Sequence, residues 1–222
     1  MGNRVLITGS TGMVGKGVLL ECLDSNNIES VLVINRETVG IEHPKLKEII
    51  HKDFFDLSSI EMDLNGYDAC FFCLGVSSAG MREDKYSNIT YKLTKHFSDT
   101  FIEQNPDSIF IYVSGTGTDS SEKGRVMWAR IKGKTENMIL NKGFKDAYAF
   151  RPGVILPTKG VRSKTDWYNV FYTLFKPLNP LLLRSKYVTT TEKVGLAMIN
   201  ILQNQQDNKH LENKDINIIA MK

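Results

Sequence analysis

The residues best suited to chemistry stand near the N-terminus. Gly9, Gly12 and Gly15 recur at spacing three in Gly9-Ser-Thr-Gly-Met-Val-Gly15, after the apolar run Arg4-Val-Leu-Ile-Thr8 and before a helical stretch. Lacking a Cβ, glycine permits the tight turn and the close approach of backbone to a diphosphate. The free amides and positive dipole of the following helix then hold that group. Strand before and helix after are the context this motif requires, so the turn points to a dinucleotide; the plain alternative is a tight turn that binds nothing. The end of the second strand decides which dinucleotide, because an acid there accepts from a ribose 2′-hydroxyl whereas an arginine receives a 2′-phosphate. Asn35-Arg36 stands there, with no acid before Glu37. Arg36 can make a charge-assisted fork to phosphate, so NADP(H) is expected in preference to NAD(H). The competing reading is a solvated surface arginine.

Other reactive residue types give weaker signals. Cys70 and Cys73 form a C-x-x-C inside Asp68-Ala-Cys-Phe-Phe-Cys-Leu-Gly75, which reads as a buried strand. Residues three apart on a strand point to opposite faces, so reduced core thiols are expected rather than a redox pair or half a metal site. No metal is expected. Gly75, ending that strand, leaves room for a ligand in the crevice at the carboxyl edge of a sheet. Further on, Ser114-Gly-Thr116-Gly-Thr118 offers hydroxyls that can polarise a carbonyl or merely serve a turn.

An alternation of elements must position these groups. Strands are expected at Arg4–Thr8, Ser30–Asn35, Leu46–His51, Ala69–Leu74, Ser108–Ser114 and Ala147–Arg151. Between them run helices: one to about Asp24, one carrying Ile89, Leu93, Phe97 and Phe101 on a single face, and one from about Val126 to Lys142 ended by Gly143. Thr189-Thr-Thr-Glu192 has the form of a capping box opening a last helix, with Val194, Ala197, Met198, Ile201 and Leu202 as its apolar stripe. A polar loop over 203–214 and a final strand Ile216–Ile219 complete the pattern. This argues a doubly wound parallel α/β sheet of Rossmann type, three layers deep, in one domain over residues 1–222. Residues 157–190, rich in aromatics from Trp167 to Phe175, form a substrate-side or lid segment.

Composition sets the bounds. At 222 residues, 41% hydrophobic and 24% charged, the chain is an ordinary globular domain able to bury a core without disulfides. A net charge of +3 is too small to argue for nucleic acid. No apolar run reaches the ~20 residues of a membrane span and no signal peptide precedes the first strand, so a cytoplasmic protein with a small-molecule substrate, monomeric or homodimeric, is expected.

These motifs resemble the atypical short-chain dehydrogenase/reductase family, and within it the compact group related to the Tat-interacting oxidoreductase. The resemblance runs from Arg4 to the terminal helix. It implies cofactor contacts from Gly9, Ser10, Thr11, Gly12, Met13 and Val14 in the first turn, and from Asp53-Phe54 beside the adenine. It further implies contacts from Leu74-Gly75-Val76 along the cofactor, and from Pro152, Gly153 and Val154 on the nicotinamide side. Asn88 falls near a position that supports the site. For Asp53 a turn or cap role is equally open.

The family's chemistry implies a Ser or Thr after the fifth strand, here Ser114 or Thr116 with Thr116 slightly favoured, and a Tyr-x-x-x-Lys on the next helix. Lys132 matches the lysine, which holds the nicotinamide ribose. The tyrosine position is Trp128, and an indole N–H cannot transfer its proton at useful pH. Residues 115–145 contain no tyrosine, so no local shift restores the motif. A substitute donor could come from Tyr168, Tyr172 or Tyr187, among which the sequence does not choose. Two functions follow: an NADP(H)-dependent oxidoreductase acting on a small carbonyl-type substrate, or a catalytically impaired NADP(H)-binding regulatory protein.

Overall fold

The computed structural model describes residues 2–161, 182 and 185–222; Trp167, Tyr168, Tyr172 and most of the expected lid segment lie outside the described residues. Seven parallel strands form the central sheet: β1 (Asn3–Thr8), β2 (Ile28–Asn35), β3 (Leu46–Ile50), β4 (Ala69–Phe72), β5 (Ile109–Val113), β6 (Asp146–Arg151) and a short edge strand His210–Glu212. Their order across the sheet is β3-β2-β1-β4-β5-β6 followed by that edge strand. The order reverses between β1 and β4, which is where a doubly wound sheet opens its ligand crevice.

Both faces of the sheet are covered, so the strands are apolar throughout rather than alternating with polar residues. Val5, Ile7 and Phe71 join the core under α1 (Met13–Asp24), while Leu6, Cys70 and Phe72 join the opposite core. Cys73 packs against the first of these cores. The two cysteines therefore face opposite layers, and all three thiols are free. Burial pushes Cys73 up to about 12 and the others up as well, which keeps them unreactive.

The opposite core is aromatic, with Phe72, Phe97, Phe101 and Phe110 in ring contact. Its helical layer consists of α2 (Glu83–Ser87), a π-helical turn (Asn88–Lys92), α3 (Leu93–Gln104) and α4 (Met127–Leu140). A small second sheet pairs β7 (Val154–Leu156) with β8 (Val188–Thr190) in parallel. Helix α5 (Thr191–Gln203) then returns across α1. Close approach there needs glycine: a Cβ on Gly17 would lie 2.4 Å from the Thr191 Cβ.

Two expectations need correction. The N-cap of α5 is Thr190, whose hydroxyl accepts from the Lys193 amide, rather than Thr189; pairing with β7 keeps Thr189 in the strand. The expected final strand Ile216–Ile219 is instead a helix, α6 (Asn213–Ile219), and the preceding "loop" contains strand β9 (His210–Glu212). The side chains of Glu212 and Asp215 each accept from the other's backbone amide, a capping box that starts the helix. Ile216 and Ile219, three apart, are buried while Ile218 is exposed, so packing and cap override the β-branched composition.

Helix α4 sits close to the loop after β5 because residue 133 is glycine. A Cβ there would stand 1.8 Å from the Asp119 carbonyl oxygen, and neither backbone can yield. Gly133→Ala should therefore cost about 1–3 kcal/mol or more. At about 2–4 °C per kcal/mol for a chain of this size, a melting curve should show a loss of about 2–12 °C; an unchanged melting temperature would contradict the packing described.

Candidate functional site

The glycine turn lies at the carboxyl end of β1, on the crevice. Gly9 takes φ +69°, and a Cβ there would meet the Leu74 backbone nitrogen at 2.7 Å, so only glycine lets the chain after β1 pass this close to the chain after β4. A Cβ on Gly15 would lie 2.4 Å from the Gly9 carbonyl oxygen, which seats α1 directly on the turn. Gly12 is the N-cap and brings no side chain to cap the helix. The first-turn amides, Met13 and Val14 among them, are those an α-helix leaves unpaired and presents to an anion.

The rest of the turn is braced from behind. The buried Ser10 hydroxyl hydrogen-bonds the Asn35 side chain, whose Nδ2 stands 2.8 Å from it and 3.4 Å from Glu48 Oε1. Glu48 also accepts from the Thr38 hydroxyl and the Val39 amide. This chain fixes the segment that carries Arg36. The fully buried Ser10 thus serves the brace through its hydroxyl.

The structure brings most of the expected cofactor residues to one cleft. Gly9, Thr11, Gly12, Arg36, Asp53, Phe54, Leu74, Gly75 and Val76 line a cavity of about 360 Å³, with Ile89 and Leu93 opposite. A Cβ on Gly75 would touch nothing within 4 Å, so this glycine borders open space. Asp53 keeps both of its readings: it lines the cavity, and its carboxylate accepts from the Phe55 amide at 2.9 Å. Phe54 is mostly core, packed on Phe97. Asn88 opens the π-helical turn one residue before Ile89; π turns often mark functional sites.

A second space of about 500 Å³ adjoins the turn, lined by Thr11, Arg36, Glu37 and Lys52. The sequence reading missed Lys52. Its signal is a cation at the end of the strand beside β2, which parallel pairing carries to the same sheet edge as Arg36.

At the carboxyl ends of β5 and β6 a buried ionic cluster controls the remaining candidates. Glu136 on α4 is fully buried. It accepts from the Ser114 hydroxyl at 2.5 Å, and from Arg151 through Nε at 3.0 Å and Nη2 at 2.5 Å. His210 Nε2 stands 3.6 Å from the same carboxylate. The Thr116 hydroxyl donates to Glu212 at 2.6 Å. Each hydroxyl has one proton, and here each is directed at a carboxylate. Glu136 and Arg151 were also missed. Glu136 falls one turn after Lys132 on the face toward the sheet, and Arg151 closes a buried strand, so each needed a buried partner.

Lys132 lies one helical turn before Glu136, and its ammonium donates to the Ser114 carbonyl at 2.5 Å. Trp128, one turn earlier still, is half-buried, with its ring edge 3.7 Å from where a Cβ on Gly117 would lie. Gly153 and Val154 line a separate cavity with Thr116, and Pro152 is buried beside them, its carbonyl accepting from the Thr116 amide at 3.1 Å.

No protein-family model matches the chain. By structure it is similar to the NADPH-bound carbonyl reductase from chicken fatty liver, with a TM-score of 0.66 at 16% identity over 96% of this chain and 97% of that one. It is also similar to NADP-bound ElxO, with a TM-score of 0.66 at 18% identity over 98% and 99% of the two chains. These likenesses show a shared Rossmann-type α/β fold. In sequence the chain is 26% identical over 216 residues to Protein HTATIP2 of Rattus norvegicus, across 96% of this chain and 87% of that protein. It is likewise 26% identical over 159 residues to mitochondrial protein FMP52 of Meyerozyma guilliermondii, 69% of this chain and 65% of the relative. The likeness to HTATIP2 covers nearly the whole chain, the same extent over which its motifs carry the resemblance. No helix among the described residues is long and apolar enough to cross a membrane.

Burial lowers the Lys132 ammonium from 10.5 to about 8, with the Glu136 charge opposing. Between those values the unfolded chain binds the proton and the folded chain does not, so this group makes stability rise with pH across that window. Urea unfolding of the cofactor-free protein at pH 7.5, 9 and 10 should show that rise, and Lys132→Met should remove it. An identical pH slope in both proteins would contradict a buried, destabilised ammonium.

Proposed function

We propose that this chain binds NADP(H) across the carboxyl edge of its sheet and acts as an oxidoreductase on a small carbonyl-type substrate. The observation that carries this reading is the pair of cations, Arg36 and Lys52, beside Thr11 in the space adjoining the glycine turn. The diphosphate would rest on the amides at the start of α1, and the 2′-phosphate would meet Arg36 and Lys52. Asp53 and Phe54 would border the adenine, Leu74, Gly75 and Val76 the middle of the cofactor, and Pro152, Gly153 and Val154 the nicotinamide end. The bound cofactor would supply or accept hydride. Lys132 would donate to the nicotinamide ribose, and Thr116 or Ser114 would face the substrate oxygen once its hydroxyl turns from its carboxylate. Glu136 holds Ser114 and, through Arg151, the end of β6. In this reading the protein works as a monomer or homodimer in the cytoplasm; the yeast relatives bear the name mitochondrial.

A charge-assisted contact to phosphate is worth about 1.5 kcal/mol, about tenfold in affinity. Calorimetry should therefore find the NADPH Kd raised about tenfold by Arg36→Ala and further by adding Lys52→Ala, with the NADH Kd almost unmoved. Equal losses for both dinucleotides would refute the phosphate role.

Trp128 favours a second reading, a regulatory protein that holds NADP(H) without turnover, because an indole cannot replace the tyrosine acid. Trp128→Tyr separates the two. Carbonyl-dependent NADPH oxidation found only in the variant supports the regulatory role, and robust turnover by the unaltered chain excludes it.

A further inference from the structure

With Trp128 unable to transfer a proton, an oxidoreductase of this kind needs another acid. We propose that Tyr187 is that proton donor, reaching the substrate from the β7–β8 side of the site rather than from α4. The assignment rests on the oxidoreductase reading above.

The placement of Tyr187 follows from strand pairing. Val188 pairs with Val154, so Tyr187 stands beside Gly153, in the segment that closes the nicotinamide end. Buried Asn213 holds the arrangement: its Oδ1 accepts from the Gly153 amide at 3.1 Å, and its Nδ2 donates to the Val154 and Tyr187 carbonyls at 3.4 and 2.5 Å. Asn217 adds a bond to the Val188 carbonyl at 2.9 Å. Thr116 is joined to the same segment through its amide and the Pro152 carbonyl.

Thr116, Gly153, Val154, Lys186, Tyr187 and Glu212 consequently share the walls of one cavity of about 550 Å³. The Tyr187 side chain is 69% exposed and is thus open to both substrate and water. The Lys186 ammonium lies 5.2 Å from its ring centre. A tyrosine with an adjacent lysine is the pairing the family's helix would have supplied, rebuilt here on a different element.

The step balances. A substrate carbonyl carbon gains hydride from the reduced nicotinamide dinucleotide, and the C=O π pair moves onto oxygen. That oxygen takes the proton from Tyr187 Oη, leaving a phenolate. Water, reaching the exposed ring, returns the proton.

The test uses the full chain with NADPH and 4-nitrobenzaldehyde. Tyr187→Phe should lower kcat about 100-fold or more while leaving the aldehyde KM, the NADPH Kd and the melting temperature near wild type. In protein labelled with 3-fluorotyrosine, the fluorine resonance missing from Tyr187→Phe should shift when the aldehyde is added with NADP⁺, under which no turnover occurs. Wild-type turnover undiminished in Tyr187→Phe, or a resonance that does not move, overturns this assignment alone. A wild-type chain that binds NADPH but reduces no aldehyde overturns the oxidoreductase reading, and the proton-donor role falls with it.

Discussion

One buried carboxylate organises the carboxyl end of this sheet. Glu136 is wholly removed from water, and an isolated charge there would cost several kcal/mol. The Ser114 hydroxyl and the guanidinium fork of Arg151 offset that cost. The donors lie at the ends of two strands and the acceptor on a helix, so the ends of β5 and β6 are pinned to α4. Removing one partner of such a pair typically costs about 3–5 kcal/mol, because the other charge stays buried and alone. Lys132, one turn before Glu136, is aimed at the β5 end by the same anchoring, and Gly133 allows the helix to come near enough.

The side of the crevice at the glycine turn works by the opposite principle. Glycines there remove side chains, so backbone amides face open space, and the polar groups that remain brace the turn from behind through Ser10, Asn35 and Glu48. One half of the crevice is therefore built from absence of side chains and the other from a dense ionic cluster. Under the proposed reading, this division would let one half keep a cofactor while the other changes its chemistry, and Trp128 would be such a change, leaving the fold and the glycine turn intact.

Much of this was legible in the amino-acid sequence. The spacing of Gly9, Gly12 and Gly15, the two-sided apolar strands and Arg36 after β2 are local signals, and they place the fold and one cleft. Lys52 and Glu136 were not legible as site residues, because each matters only through a neighbour distant in sequence. The final strand was misread for a related reason. Ile216, Ile218 and Ile219 favour β structure by composition, but the Glu212–Asp215 cap and the core under α6 favour helix.

The sequence by itself determined the layer order, the glycine turn after the first strand, the separation of Cys70 from Cys73 and the absence of tyrosine from residues 115–145. Each is encoded in spacing along a single strand or helix. Only the tertiary structure decided that Ser114 and Thr116 each give their proton to a carboxylate, that Lys52 joins Arg36, and that Tyr187 shares a cavity with Thr116. Those are contacts between segments far apart in the chain, and no local periodicity records which of many possible partners a folded core will bring together.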